Sequence, residues 1–243
     1  MAKKRAIEVV IPIYNEEEEL EQNIVKLHSY LDKNLTNYLW HITIADNAST
    51  DKSLIIAKDL GSRLTNVGFI HFDQKGRGGA VKKVWKKSKA EILAYMDVDL
   101  STDLSNFLPL ITHLKGDYDI AIGSRLMPNS IVDNRTLKRE ILSRGYNILI
   151  RFAFGTHFSD AQCGFKAVTR RVVTELLPII ADNSWFFDSE LLIVGEKSGY
   201  KVYEQPVNWI DNPGSTVRVL KTIYGDLSGL WRLFWSRPWS KKT

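Results

Sequence analysis

The sequence is poor in cysteine, with Cys163 its only one in 243 residues. One thiol builds neither a disulfide framework nor a cysteine-based zinc site within a single chain, and it suits a reducing cytoplasm. The five histidines, His28, His41, His71, His113 and His157, show no metal-ligand spacing and read as structural or surface residues. No stretch approaches the ~18–20 apolar residues of a spanning helix, so the chain is expected to lie on a membrane at most, not to cross one. The apolar run after Met1-Ala2-Lys3-Lys4-Arg5 ends at Pro12. It is too short for the core of a signal peptide and reads as a first strand. There is no internal repeat and no low-complexity tract. No Walker A loop is present, and no G-x-G-x-x-G follows the first strand, which argues against P-loop and dinucleotide-binding readings.

What is present is ordinary globular composition, 44% hydrophobic and 25% charged, in enough chain for one sizeable core. A single domain over residues 1–243 is expected. The net charge, 33 − 28 = +5, fits an anionic substrate or a membrane surface. No nucleic-acid partner is expected, and the oligomeric state is left open.

Strand and helix patterns alternate. Continuous β-branched runs at residues 7–13, 40–45, 67–72, 92–96 and 120–122 suit strands buried on both faces. Between them Leu20, Ile24, Leu27 and Leu31 fall at helical spacing. A helix over 51–60 is expected to stop at Gly61. Val81, Val84, Trp85 and Ser88 line another, and 106–113 a further one. This alternation predicts an α/β fold with a mostly parallel, doubly wound sheet. The second half is less regular: a long helix over 137–154, a loop or short strand over 160–167, a helix near 187–198 and a strand over 201–209. An aromatic-rich amphipathic helix over about 216–239 carries Tyr224, Leu227, Trp231, Phe234 and Trp235, and its tryptophans and lysines suit a membrane interface.

In such sheets ligands bind outside the carboxyl ends of the strands, where this sequence concentrates its unusual polar residues. Asp97-Val98-Asp99 follows a buried strand, and two such carboxylates can share one hard cation, Mg²⁺ or Mn²⁺. Pro12, Tyr14, Asn15 and Glu16 end the first strand as a platform for a nucleobase or as an ordinary turn in which Asn15 caps. Ala45, Asp46 and Asn47 end the second and present a base-reading acceptor, with Ser49 or Thr50 as a helix cap. Lys75-Gly76-Arg77-Gly78-Gly79-Ala80 is a glycine-rich basic turn able to bring backbone N–H groups to a phosphate. Lys82, Lys83, Lys86, Lys87 and Lys89 then read as a solvated helix face or a contact with anionic lipid. Of the basic residues beyond the fifth strand, Arg125 is best placed for bidentate phosphate binding; Arg135, Lys138, Arg139 and Arg144 also suit a helix surface.

As an ordered set these motifs resemble the family-2 glycosyltransferases of GT-A fold. Pro12-Ile13-Tyr14-Asn15-Glu16 is similar to their P-x-Y-N-E, Asp46–Asp51 to their D-D-x-S-x-D, Gly76–Ala80 to their G-x-G-x-A and Asp97-Val98-Asp99 to their D-x-D. Gly123-Ser124-Arg125, Leu137-Lys138-Arg139, Asp160–Lys166, Trp185–Leu192 and Val207-Asn208-Trp209 look closest to the dolichyl-phosphate β-glucosyltransferase branch. Asn47 stands where many relatives have a second aspartate, and Ser101 where some have a glutamine near the metal.

The resemblance implies inverting transfer from a nucleoside diphosphate sugar, UDP-glucose first and GDP-mannose next. Asp97 and Asp99 would hold the cation, and Pro12, Tyr14, Asn15, Glu16, Ala45, Asp46, Asn47, Gly76 and Val98 would line the donor pocket. Arg125 and Arg139 would position the phosphate of a polyprenyl or dolichyl acceptor, on the cytoplasmic face of a membrane. A sugar-hydroxyl acceptor would instead need a base, Asp188 or Glu190. Two other classes stand beside this reading. Asp97-Val98-Asp99-Leu100-Ser101 loosely resembles the nucleophile loop of haloacid dehalogenase-type phosphatases, which place it after their first strand. A nucleotide-sugar binder without catalysis would show no turnover.

Overall fold

The structure is a computed structural model that describes residues 4–211 and 219–240. Its first half alternates as expected: β1 (Arg5–Ile13), α1 (Leu20–Asn34), β2 (Tyr38–Asn47), α2 (Ser53–Arg63), β3 (Val67–Phe72), α3 (Arg77–Lys87), β4 (Ile92–Met96), α4 (Phe107–Thr112) and β5 (Ile120–Ser124). The second half adds β6 (Ile131–Asp133), α5 (Leu137–Phe154), β7 (Phe165–Thr169), α6 (Phe187–Lys197), β8 (Val202–Pro206), β9 (Asn208–Ile210) and α7 (Val219–Ser236). Residues 216–218 of the expected C-terminal helix lie outside the described residues.

The main sheet has seven strands in the order β3-β2-β1-β4-β7-β5-β8. All run in one direction except β7, which is antiparallel to both β4 and β5. The chain moves outward from β1 to β2 and β3, then returns to the other side of β1 as β4. That reversal is a topological switch point, where a crevice opens at the strand ends. A two-stranded sheet of β6 and β9 lies apart, and Trp209 of β9 bridges to Thr102 just beyond β4.

Strand alternation divides the core. Ile7, Val9, Ile11 and Ile13 of β1 pack with α1, α2 and α4 on one sheet face, whereas Val10 joins α3, α5, α6 and α7 on the other. β4 and β5 are therefore buried on both sides, as their continuous runs predicted, whereas edge strand β3 leaves Phe69 and His71 exposed.

Three expectations need correction. Gly61 does not end α2, which runs on to Arg63. The glycine faces β3, where a Cβ would sit 3.4 Å from the Phe69 ring, so it serves close helix–strand packing rather than a cap. The strand over 201–209 is two strands in different sheets, parted at Val207. The stretch 160–167 contributes β7, the antiparallel strand that closes the sheet between β4 and β5.

Candidate active site

The loops after β1 and β2 are sewn together by side chains. Asn15, in the left-handed region at φ 55°, accepts from Thr50 N through Oδ1, and its own N–H donates to Ser49 Oγ. Glu16 N donates to Ser53 Oγ and Glu17 N to Asp51 Oδ2. Asn15, Ser49 and Thr50 are thus inter-loop ties, not helix caps, and α1 and α2 begin after Glu19 and Lys52 with no side-chain cap bond. Beside this tie Tyr14 is exposed, and its ring lies under Lys75 Nζ at 4.0 Å.

Asp46 is fully buried. One oxygen meets His71 Nδ1 at 2.5 Å and the other accepts from Ser49 N, so the expected base-reading acceptor turns inward. His71, at the end of β3, carries the exposed edge of that pair. Asn47 Oδ1 accepts from Gly76 N at 2.8 Å. Gly78 N and Gly79 N donate to the carbonyls of Ser184 and Asn183. The glycine-rich turn therefore spends its amides on protein and is no open phosphate cradle. Its glycines are required by contact: a Cβ on Gly78 would lie 2.3 Å from Phe187 Cβ, and one on Gly76 2.7 Å from the Asn183 carbonyl. Lys82 is likewise buried, donating to the Ile180 carbonyl.

At the end of β4, Asp97 and Asp99 line a cleft with Ser101, Thr102, Gly164 and Trp209. Leu100 at φ 47° turns the chain, and Ser101 N donates to Asp99 Oδ1. Gly164 makes room for Asp97, because a Cβ there would overlap Asp97 Oδ2 at 1.7 Å. Burial raises the Asp99 carboxyl, and Asp97 raises it further. Burial together with Glu19, Asp99, Asp51 and Asp97 pushes Glu16 up to about 7. This rim holds more negative charge than its own cations balance. The donor set is hard oxygen, which fits Mg²⁺ or Mn²⁺ with phosphate oxygens completing the shell. Among the described residues no group of three or more histidine, cysteine or carboxylate side chains is arranged to hold a metal alone.

Sequence reasoning missed Arg77. Its guanidinium lies between the Tyr95 and Trp185 rings, donating to Asp97 Oδ1 at 2.5 Å and to Asp188 Oδ2 at 2.6 Å. Lys166 Nζ reaches Asp188 Oδ1 at 2.9 Å. Burial pushes Asp188 up to about 6 against the pull of Arg77, and pushes Lys166 down to about 7. Glu190 is fully buried, held bidentately by Arg232 at 2.9 and 3.0 Å, and it accepts from Ala181 N and Asp182 N. Neither carboxylate is free to act as a base in this arrangement.

Beyond Trp209 lie three arginines, each paired with an acid. Arg125 packs over the Trp209 ring at 4.8 Å. Its Nε and one Nη grip buried Asp160 at 2.8 and 2.9 Å. Burial would raise Asp160, but Arg125 overcomes it and holds the carboxyl near 2. The expected phosphate fork is therefore committed to Asp160, with Nη1 remaining. Arg139 donates to Asp211 at 2.8 Å. Burial, and after it the nearby Arg125 charge, lowers the pKa of Arg135, which pairs with Glu140 at 3.0 Å. Trp209 thus separates a carboxylate cleft from an arginine cluster, and the sequence marked it only through motif resemblance.

Two helices beside the site are apolar outward as well as inward. On α5, Ser143, Asn147, Ile150 and Phe154 face the core, while Leu137, Ile141, Leu142, Ile148, Leu149 and Phe152 are exposed, Phe152 to 93%. On α7, Tyr224, Leu227, Trp231, Phe234 and Trp235 form an exposed stripe. Phe154 joins the helices by edge contacts with Phe234 and Trp239. No helix among the described residues is long and apolar enough to cross a membrane.

The strand order, the switch point and the carboxylate cleft at the β4 end define a GT-A fold, the architecture of nucleotide-sugar transferases. Residues 8–177 match the model of Glycosyl transferase family 2, and the chain belongs to that family. Membership removes the phosphatase reading. The chain is 33% identical to Glycosyltransferase AglD of Haloferax volcanii over 94% of its own length but only 37% of AglD. It is 28% identical to the dolichyl-phosphate beta-glucosyltransferase of Dictyostelium discoideum, over 93% of this chain and 76% of that one. In fold it resembles Mycobacterium tuberculosis glucosyl-3-phosphoglycerate synthase in complex with Mn²⁺, UDP-glucose and phosphoglyceric acid. That match has a TM-score of 0.66 and 16% identity, over 95% of this chain and 79% of that one. It also resembles the mannosyltransferase PcManGT of Pyrobaculum calidifontis with GDP-Man and Mn²⁺, with a TM-score of 0.62 and 12% identity, over 100% and 66%.

Proposed function

We propose that this chain transfers glucose from UDP-glucose to a polyprenyl phosphate at a membrane surface, with inversion at the anomeric carbon. An oxygen of the lipid phosphate attacks C1 of the sugar, the bond from C1 to the diphosphate breaks, and the nucleoside diphosphate leaves. Mg²⁺ or Mn²⁺ held by Asp97 and Asp99 would supply charge stabilisation on that leaving group. Tyr14, Asn15, Glu16 and the Asp46–His71 pair would border the nucleoside. Arg77 would keep Asp97 oriented in the cleft.

The observation that carries the acceptor class is the state of the carboxylates and arginines around Trp209. A sugar hydroxyl needs a base to take its proton, yet Asp188 and Glu190 are both locked in ion pairs. A phosphate oxygen is already anionic near neutral pH and needs only positioning. Arg125, Arg135 and Arg139 lie beyond Trp209, paired with Asp160, Glu140 and Asp211, and a phosphate there would share their remaining donors or displace those acids. The dolichyl-phosphate relatives support the same class and favour glucose, with GDP-mannose as the next donor.

The membrane part of the reading rests on α5 and α7. Outward faces this apolar on a globular chain mark a contact surface, and amphipathic helices with aromatic stripes lie in the headgroup region of bilayers. On this reading the protein works peripherally at the cytoplasmic face, in keeping with a single buried thiol.

The test incubates purified protein with Mg²⁺ or Mn²⁺ and polyprenyl phosphate, with UDP-glucose and GDP-mannose in separate reactions. Mass spectrometry then looks for the glycolipid, with Asp99→Ala as the control. Glucosyl-phosphoryl-lipid made by the wild type and lost in the variant is the expected result. Metal-dependent donor binding without any glycolipid would defeat the lipid-phosphate acceptor.

A further inference from the structure

On the flank of α5 away from the carboxylate cleft lies a second cavity, of about 350 Å³. Arg144, Ile148 and Arg151 line one side; Met127, Ser159 and Glu204 are among the residues opposite. At 100° per residue, Arg144 and Arg151 sit roughly 120–160° around the helix from Arg139 and Tyr146. Those two residues face Asp211 and α6. The cavity is therefore on another side of α5 from Arg139, while Leu126 and Ser159 of its lining are chain neighbours of Arg125 and Asp160. It lies at the edge strand β8, which carries Glu204.

Its chemistry is that of an anion site joined to an apolar surface. Arg144 is half-exposed and rests on Glu140 one turn earlier, a surface i,i+4 pair of little strength. Arg151 has no ion-pair or hydrogen-bond partner among the described residues. Among the described residues Glu204 forms no ion pair with either arginine; its Oε1 accepts from both Ser159 N and Ser159 Oγ at 2.8 Å. Ile148 belongs to the cavity wall and also to the exposed apolar face of α5. A ligand that satisfies both features carries an anionic head and an apolar tail in one molecule.

We propose that this cavity seats the phosphate headgroup of an anionic membrane phospholipid, with Arg144 and Arg151 as its ligands and the acyl chains lying along Ile148, Ile141 and Phe152. The site lies around α5 from Arg139 and would set the depth and orientation of α5 in the bilayer. It rests on the membrane-surface reading above.

The test is sedimentation of the full chain with vesicles of neutral phosphatidylcholine, with or without phosphatidylglycerol, for wild type and for Arg144→Gln/Arg151→Gln. Lys26→Gln/Lys58→Gln serves as a charge-matched control, because α1 and α2 pack on the opposite face of the sheet. Circular dichroism and glycolipid formation in detergent check that each variant is folded and active. Wild type is expected to bind the anionic vesicles more tightly. The arginine variant should lose that preference by about fivefold per arginine while still binding neutral vesicles, and the control should keep it. Equal loss in the control, or no loss in the arginine variant, overturns the headgroup site and leaves the membrane reading standing. Failure of wild type to bind any vesicle removes the membrane reading itself, and the site with it. Inorganic phosphate and glycerol phosphate are added as competitors. Binding of either one free in solution, with the same sensitivity to the arginine substitutions, overturns the lipid assignment in favour of a soluble phosphate.

Discussion

Two regions of the molecule treat acid differently, the ion pairs beneath the second half of the sheet and the rim at the ends of β1 and β4. In the second half three buried carboxylates have their cations: Asp160 has Arg125, Asp188 has Arg77 and Lys166, and Glu190 has Arg232. Asp226, held by Gln162 Nε2, is the exception, and burial pushes it up to about 7. At the ends of β1 and β4 the acids crowd one another instead, and Glu16 is pushed up to about 7 by burial and by four acidic neighbours. A paired carboxylate holds geometry. A crowd of acids at a switch point, in which Asp97 shares the Arg77 guanidinium, holds room for positive charge that arrives with a ligand. The contrast distinguishes aspartates of the scaffold from aspartates of the site, which residue type alone cannot do.

The contrast has measurable consequences, and the largest is on stability. Asp160→Asn leaves the Arg125 guanidinium buried without its partner and is expected to destabilise the fold by about 3–5 kcal/mol, read by urea denaturation. A cost near zero would mean that Arg125 is solvated and free for ligand. Asp99→Asn should do the reverse. It removes a desolvated charge that Asp97 repels, so the metal-free protein is expected to gain roughly 0.5–1 kcal/mol while Mg²⁺ affinity falls at least about tenfold. A variant that loses stability would place Asp99 among the scaffold acids.

The smallest effect is on pH dependence. Glu16 has a folded pKa near 7 against an ordinary 4.5, so its ionisation costs stability as pH rises from about 4.5 through 7. A bound cation offsets that cost, and Mg²⁺ is expected to raise the Tm more at pH 8 than at pH 5.5. Asp160 behaves oppositely. Its folded value near 2 lies below the ordinary 3.8, so its contribution is complete above pH 4 and is lost as pH falls through 2. Equal Mg²⁺ stabilisation at both pH values would mean that the rim acids do not share their charge with the metal cleft.

The first half was legible because its physics is local. Apolar runs of strand length, helical spacing and polar residues at strand ends predicted five strands, a mostly parallel sheet and the place of Asp97 and Asp99 at a strand end. What failed there depended on partners distant in sequence. Nothing near Asp46 announces that His71 will take its carboxylate, and nothing in the glycine-rich turn announces that Asn183 and Ser184 will take its amides. The second half was harder for the same reason. Arg125 read as a phosphate fork because Asp160, 35 residues on, was invisible as its partner. Arg77 read as one more residue of a basic turn, although it bridges Asp97 and Asp188 across more than a hundred residues. The outward face of α5 was legible in principle from Leu137, Ile141, Ile148 and Phe152. Only the buried set of Ser143, Asn147, Ile150 and Phe154 shows which side faces out.

The antiparallel strand β7 governs how the chain can assemble. β4 and β5 follow one another in sequence but do not pair; each bonds to β7, whose residues come some forty positions after the end of β5. Until residues 165–169 arrive, both strands present unpaired edges of the kind that invite intermolecular pairing. The carboxyl half of the sheet must therefore close late, through contacts of long sequence separation that slow folding. A nascent chain bearing every nucleotide-side motif but ending before Phe165 would be an aggregation-prone intermediate, not a smaller working enzyme.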